Sequence, residues 1–151
     1  MRGAAIMLPS CSAIPDVRLA AAADLRAIAA IQAASPQAAQ WDPAGSPDCD
    51  IWVAAEGARI CGFVIVRTVA QEEHEILNLA VAPECRRRGI ASVLVKTILA
   101  RHLGAVFLEV RESNRDAQRF YNSIGFQELA RRDQYYECPP EAAIVMKFHS
   151  C

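Results

Sequence analysis

Between Ile76 and Val110 the chain runs apolar strand, turn, apolar helix, apolar strand, an order that few folds accommodate. Ile76–Val81 reads as a strand that meets a turn at Pro83. Ile90 to Leu103 carries Val93, Leu94, Ile98 and Leu99 at helical spacing, with Gly104 placed just past its end. Val106–Val110 is a second strand. A β-α-β unit of this kind sets its two strands parallel, and ligands bind beyond their carboxyl ends.

The turn inside this unit is Cys85-Arg86-Arg87-Arg88-Gly89. Free backbone N–H groups at a helix N-terminus, lined with positive charge, form an anion site suited to phosphate. No GxxxxGK run is present, which excludes a P-loop, and Gly89 alone cannot make a GxGxxG dinucleotide fingerprint. The pattern present is Arg86-x-x-Gly89-x-Ala91, whose small residues let backbone approach a pyrophosphate. A solvated arginine run is the competing reading, but cations there oppose the helix dipole.

The flanking sequence supplies more strands. Val17–Leu19 is a short strand candidate, and Asp24 opens a helix with Leu25, Ile28 and Ile31 on one face. Ser35–Asp50 is loop-rich, with Pro36, Pro43, Gly45 and Pro47. Ile51–Ala55 and Arg59–Val66 form a hairpin about Glu56-Gly57. Gln71–Glu75 reads as a polar connection in which Glu72, Glu73 and Glu75 form either a solvated hairpin tip or an acidic rim, with His74 solvated among them. Asn114 caps a helix carrying Ala117, Phe120, Tyr121 and Ile124, which Gly125 ends. Phe126–Ala130 and Ala142–Phe148 are the last strands, and the loop between them holds Tyr135 and Tyr136.

Composition narrows the class. The 151 residues fit one domain, and 53% hydrophobic with 22% charged residues predicts a packed core. A net charge of −1 gives no global reason to expect nucleic acid or an anionic membrane as partner. No apolar run approaches the ~18 residues of a membrane helix. The six cysteines form no CxxC pair and show no zinc spacing to His74, His102 or His149, so no metal is expected and the thiols fit a reducing, cytoplasmic setting. Cys61 reads as core, and Cys85 as structurally neutral despite the adjacent arginines. Residues 1–15 are expected to be a flexible leader before a single domain at 16–151.

Two side chains stand out for chemistry. Glu109 is the only charge within Val106–Val110, and it is either an outward-facing strand residue or a general base at the sheet centre. Tyr121 is either a core tyrosine whose hydroxyl needs a partner or a phenol held near a ligand as proton donor.

The segments EILNLAV (75–81), LEVRESN (108–114) and FYNSIGF (120–126), with Arg86, Gly89 and Ala91 matching Q/R-x-x-G-x-G/A, resemble the acetyl-CoA motifs of the GNAT superfamily of N-acetyltransferases. With the late YYECPPEAAIVMK (135–147), the wording is most similar to the RimI-type ribosomal-protein alanine N-acetyltransferases. The resemblance covers Val17 to Phe148 and departs at Ala142, where such proteins often carry Asp, and throughout Ser35–Asp50.

That resemblance implies an α/β (α+β) fold. Its central sheet would be mixed and mostly antiparallel, with a parallel pair at the cofactor site and about four flanking helices. It implies acetyl-CoA as co-substrate, with Leu79, Ala80 and Val81 on the pantetheine arm. Arg86, Arg87, Arg88, Gly89, Ile90, Ala91 and Ser92 would lie at the pyrophosphate, and Asn114 would contact the cofactor. Glu109 would be general base and Tyr121 general acid, with a strand N–H near Val81 as oxyanion donor. The implied acceptor is a protein or peptide N-terminus, possibly of a ribosomal protein, met by a monomer or weak dimer. A small-molecule amine acceptor and a non-catalytic acyl-CoA-binding module are the alternatives.

Overall fold

β-Branched and apolar residues fill the central strands of the computed structural model, which describes residues 14–36 and 48–150. Strands Asp16–Leu19 (β1), Cys49–Glu56 (β2), Arg59–Ala70 (β3), Glu73–Val81 (β4), Ala105–Arg111 (β5), Gln127–Glu137 (β6) and Pro140–His149 (β7) form one sheet. Their order is β1-β2-β3-β4-β5-β7-β6. Only β4 and β5 pair in parallel; the other neighbours are antiparallel. The helices are Leu25–Ala33 (α1), Ile90–Arg101 (α2) and Arg115–Ile124 (α3).

The expected mixed sheet is therefore present, with its parallel pair made by the β4-α2-β5 crossover. Three α-helices occur among the described residues, where about four were expected. Most of the Ser35–Asp50 loop and of the leader lies outside the described residues.

Helix α2 packs on the sheet through Leu94, Val95 and Ile98, none of which touches solvent. Each such side chain contributes about 1.5–3 kcal/mol of burial. Gly62 of β3 leaves room for this helix, since a Cβ there would sit 3.1 Å from Ile90 and 3.3 Å from Leu94. Helix α3 begins as the sequence predicts, with the Asn114 side chain accepting from the Ala117 N–H at 3.2 Å. Gly125 ends it at φ +120°.

Three local expectations are corrected. The polar connection is only the Gln71-Glu72 turn, because β3 runs on to Ala70 and β4 starts at Glu73. His74 is buried rather than solvated: it is joined to the Thr68 hydroxyl at 3.1 Å and lies edge-on to His102 at 4.5 Å. Tyr135 and Tyr136 belong to β6, not to a loop. Asp24 stands at the N-terminal boundary of α1 as expected, but its side chain does not cap that helix: its carboxylate binds Arg18 at 2.7 Å and the Ala21 N–H at 2.7 Å.

Candidate active site

The parallel ladder of β4 and β5 runs from Glu73 opposite Ala105 to Ile76 opposite Leu108, and stops there. At the same point β4 carries a bulge. Ile76 faces Val66 and Asn78 faces Ile65, so Leu77 is an extra residue. Asn78 holds the bulge from inside the protein. Its Oδ1 accepts the Leu79 N–H at 2.9 Å and its Nδ2 donates to Gln32 Oε1 of α1 at 2.9 Å. Beyond it, Leu79–Val81 stays paired with β3 but has left β5. The strands part around a cleft of about 1220 Å³.

The cleft edge of β4 presents backbone. The Ala82 N–H bonds the Cys61 carbonyl at 2.8 Å, so by ladder alternation the main-chain groups of Leu79 and Val81 point the other way, into the cleft. The Val81 carbonyl agrees, accepting from Arg86 Nε at 3.2 Å. The Leu79 N–H is taken by Asn78. The Leu79 carbonyl and the Val81 N–H are left facing the opening.

The arginine loop divides its work. Arg86 lines the cleft and reaches the end of α1, donating to the Ala34 carbonyl at 3.4 Å and Ser35 Oγ at 3.3 Å. Arg87 and Gly89 both adopt left-handed backbone, at φ +61° and +79°. Arg88 is ion-paired with Glu56, which also accepts from Cys61 Sγ at 3.3 Å. So part of the arginine run has a structural reason that needs no phosphate. Cys85 is buried and accepts from Arg59 Nη2 at 3.1 Å. Helix α2 starts at Ile90, and Val93 is the first to bond back, to the Gly89 carbonyl at 3.0 Å. The N–H groups of Ile90, Ala91 and Ser92 precede that ladder.

Glu109 is the first β5 residue whose side chain shares the sheet face of Phe107 past the end of the parallel ladder. It lines the cleft, accepts from Arg132 Nη1 at 3.1 Å and takes the Tyr135 hydroxyl at 3.3 Å. Burial, and then the neighbouring Glu75 carboxylate, raise its pKa above the ordinary carboxylate value against the pull of Tyr135 and Arg132. Neither expectation for the acidic cluster fully describes Glu75, which lies inside β4 with Arg67 at 2.6 Å.

Tyr121 is packed in the core and also reaches the cleft. Its ring is packed edge-on against Phe120 at 5.1 Å and Phe126 at 5.4 Å, while the residue lines the cleft. Its hydroxyl has no hydrogen-bond partner among the described residues. Burial, with Tyr136 adding to it, pushes the phenol pKa up, so the group stays protonated. Asn114 also lines the cleft, with its Oδ1 committed to the α3 cap.

Sequence reasoning missed three contributors. Asn78 was visible as the lone amide in EILNLAV, but its partner Gln32 was not. Arg111 stacks on the Tyr136 ring at 4.1 Å and pairs with Glu141 at 3.3 Å, tying β5 to the β6–β7 end. Glu141 in turn takes the Ser113 N–H at 2.6 Å, beside the Asn114 cap. Among the described residues no group of three or more His, Cys, Asp or Glu side chains is placed to hold a metal, and no helix is long and apolar enough to cross a membrane.

A family model described as the acetyltransferase (GNAT) family matches residues 20–126. A ribosomal protein bS18 alanine N-acetyltransferase of Haemophilus ducreyi is 35% identical over 101 residues, covering 62% of this chain and 69% of that protein. An uncharacterized N-acetyltransferase of Methanocaldococcus jannaschii is 33% identical over 106 residues, covering 67% of each. The ribosomal-protein-S18-alanine N-acetyltransferase of Escherichia coli has the same fold, with a TM-score of 0.76 at 24% identity over 91% of this chain and 96% of that one. So does Arabidopsis thaliana NAA60 in complex with acetyl-CoA, at 0.78 and 19% identity over 88% and 97%.

Proposed function

The chain belongs to the acetyltransferase (GNAT) family, and on that premise we propose that it transfers acetyl from acetyl-CoA to the N-terminal α-amine of a protein. One arrangement carries the proposal: Glu109 and Tyr121 line the same cleft as a strand edge freed of its partner by a bulge.

The residues present fit acetyl-CoA. The Leu79 carbonyl and Val81 N–H offer an acceptor and a donor to an amide-bearing pantetheine arm, as strands do to one another. The left-handed turn at Arg87 and Gly89 and the first N–H groups of α2 suit a pyrophosphate, with Arg86 and Arg87 adding charge. Asn114 would use its amide nitrogen. The co-substrate supplies a thioester carbonyl, and the protein positions donors and acceptors around it.

Glu109 takes the proton of the incoming ammonium, directly or through a water. Its raised pKa suits that task, since a base works best with a pKa near the working pH. The Val81 N–H is the candidate donor to the developing oxyanion. Tyr121, kept protonated by burial, gives its proton to the departing thiolate. No covalent intermediate on the enzyme is required.

The acceptor class follows from proton affinity. An α-amine has a pKa of about 7.7–8.0 against about 10.4 for lysine, a gap of roughly 2.5 units or about 3.4 kcal/mol. One glutamate is therefore an easier base for the first than for the second. The relative from Haemophilus ducreyi is named for an alanine of ribosomal protein bS18, and an alanine N-terminus of a ribosomal protein is the acceptor proposed here. The setting proposed is cytoplasmic, with residues 16–151 as one catalytic domain.

The test is coenzyme A release by the purified chain with acetyl-CoA and a panel of acceptors. An Ala-starting basic peptide should be the best acceptor. No release with it, or preference for a small amine, contradicts the proposal.

A further inference from the structure

The carboxylate pair formed by Glu75 and Glu109 is not explained by packing. In the parallel ladder Glu75 stands opposite Phe107, and Glu109 is the next residue on that face of β5. Both side chains are mostly covered, at 16% and 17% exposure. Each carboxylate has its own arginine on the outer side: Arg67 lies 2.6 Å from Glu75 and Arg132 lies 3.1 Å from Glu109. The order across the sheet is thus Arg67, Glu75, Glu109, Arg132. Two like charges meet in the middle, where half-buried carboxylates repel unless a proton is shared.

We propose that Glu75 is a positioning residue for Glu109: its charge, next to Glu109 on the same sheet face, makes the Glu109 carboxylate a stronger base toward the proton of the incoming ammonium. The proposal rests on Glu109 being the general base. Glu75 acts through charge and not through contact with substrate. Burial of Glu109 and the nearness of Glu75 both favour its protonated form. The other ionisable groups around Glu109 are Arg132, Tyr135 and Tyr136 of β6, Arg67 of β3, and Lys147 of β7 on the Phe107 ring. Arg67 is a counterweight acting through Glu75, with which it pairs at 2.6 Å, since it offsets the charge that would otherwise bear on Glu109.

The two arms therefore have opposite signs. Glu75→Gln removes the neighbouring anion and leaves Arg67 unopposed, so the Glu109 titration midpoint should fall. Arg67→Met bares the Glu75 charge, so the midpoint should rise. Glu75→Asp should keep the sign of the wild type.

The experiment is carboxyl-carbon NMR of Glu109 in the full chain, in the wild type and these variants, with the pH profile of kcat/KM measured alongside. The Glu109 midpoint should move down in Glu75→Gln and up in Arg67→Met, and the acid limb of kcat/KM should follow it. A midpoint that stays in place in folded Glu75→Gln overturns the proposal. A midpoint that moves while the acid limb stands still upholds the coupling and removes Glu109 from the base role.

Discussion

Asn78 and Gln32, 46 residues apart, are joined by a 2.9 Å hydrogen bond that anchors the β4 bulge to the end of α1. The same amide's oxygen holds the Leu79 N–H, so one buried side chain fixes both where β4 bends and which of its backbone groups face the cleft.

Asn78→Ala removes both bonds and leaves the Leu79 N–H and the Gln32 amide without that partner. The cost expected is about 1–3 kcal/mol of stability, read by denaturant or thermal unfolding. Acetyl-CoA binding should weaken as well, because the freed strand edge is no longer set. Calorimetric titration that shows wild-type affinity in a folded Asn78→Ala variant would remove the bulge from the cofactor site.

Gly89 has open space around it, since a Cβ there would meet nothing within 4 Å. Its φ of +79° is the whole constraint. Gly89→Ala should therefore cost about 1–2 kcal/mol through backbone alone. Its effect on acetyl-CoA Kd should exceed that of Arg88→Gln, because Arg88 is occupied with Glu56. Equal or reversed effects would show that charge, not loop conformation, holds the pyrophosphate.

Tyr121→Phe separates the two roles of that residue. The ring stays in place, and the hydroxyl it loses has no hydrogen-bond partner among the described residues. Melting temperature should barely change, while turnover should drop by about 10²–10⁴-fold, the usual contribution of a general acid. Wild-type turnover would leave Tyr121 a core residue only.

His74 gives the fold a pH dependence of known sign. Burial first, and the adjacent His102 second, lower its pKa below the ordinary 6.5. The folded state therefore favours the neutral ring. Stability from this source is complete above about pH 6.5 and is lost as the pH falls below it, where the unfolded chain binds the proton more readily. Melting temperatures measured across that range should decline toward acid, and the decline should be smaller in His74→Phe. An identical decline in the variant would assign it to other groups.

What could be read in the sequence was local. Pro83, Gly89 and the apolar spacing of α2 marked the crossover, and Asn114 and Gly125 marked the ends of α3, because caps and periodicity act within a few residues. What depended on register was hidden. Glu75 and Glu109 meet only because Glu75 stands opposite Phe107 in the parallel ladder. His74 falls on the buried face of β4, with the ring of His102 lying against it. Strand β6 was read only as far as Ala130 because nearly all its residues are exposed, so Gln127–Glu137 has no apolar alternation to mark its length. The arginine run read as one phosphate site, yet Arg88 serves Glu56, a partner 32 residues away.

The central claim is that this cleft acetylates an α-amine. The most direct measurement is tandem mass spectrometry of a peptide that begins with Ala and carries internal lysines, after incubation with the purified chain and acetyl-CoA. One acetyl group on the α-amine, absent with Glu109→Gln, is the predicted result. Acetyl on a lysine side chain, or an unmodified peptide, would contradict it.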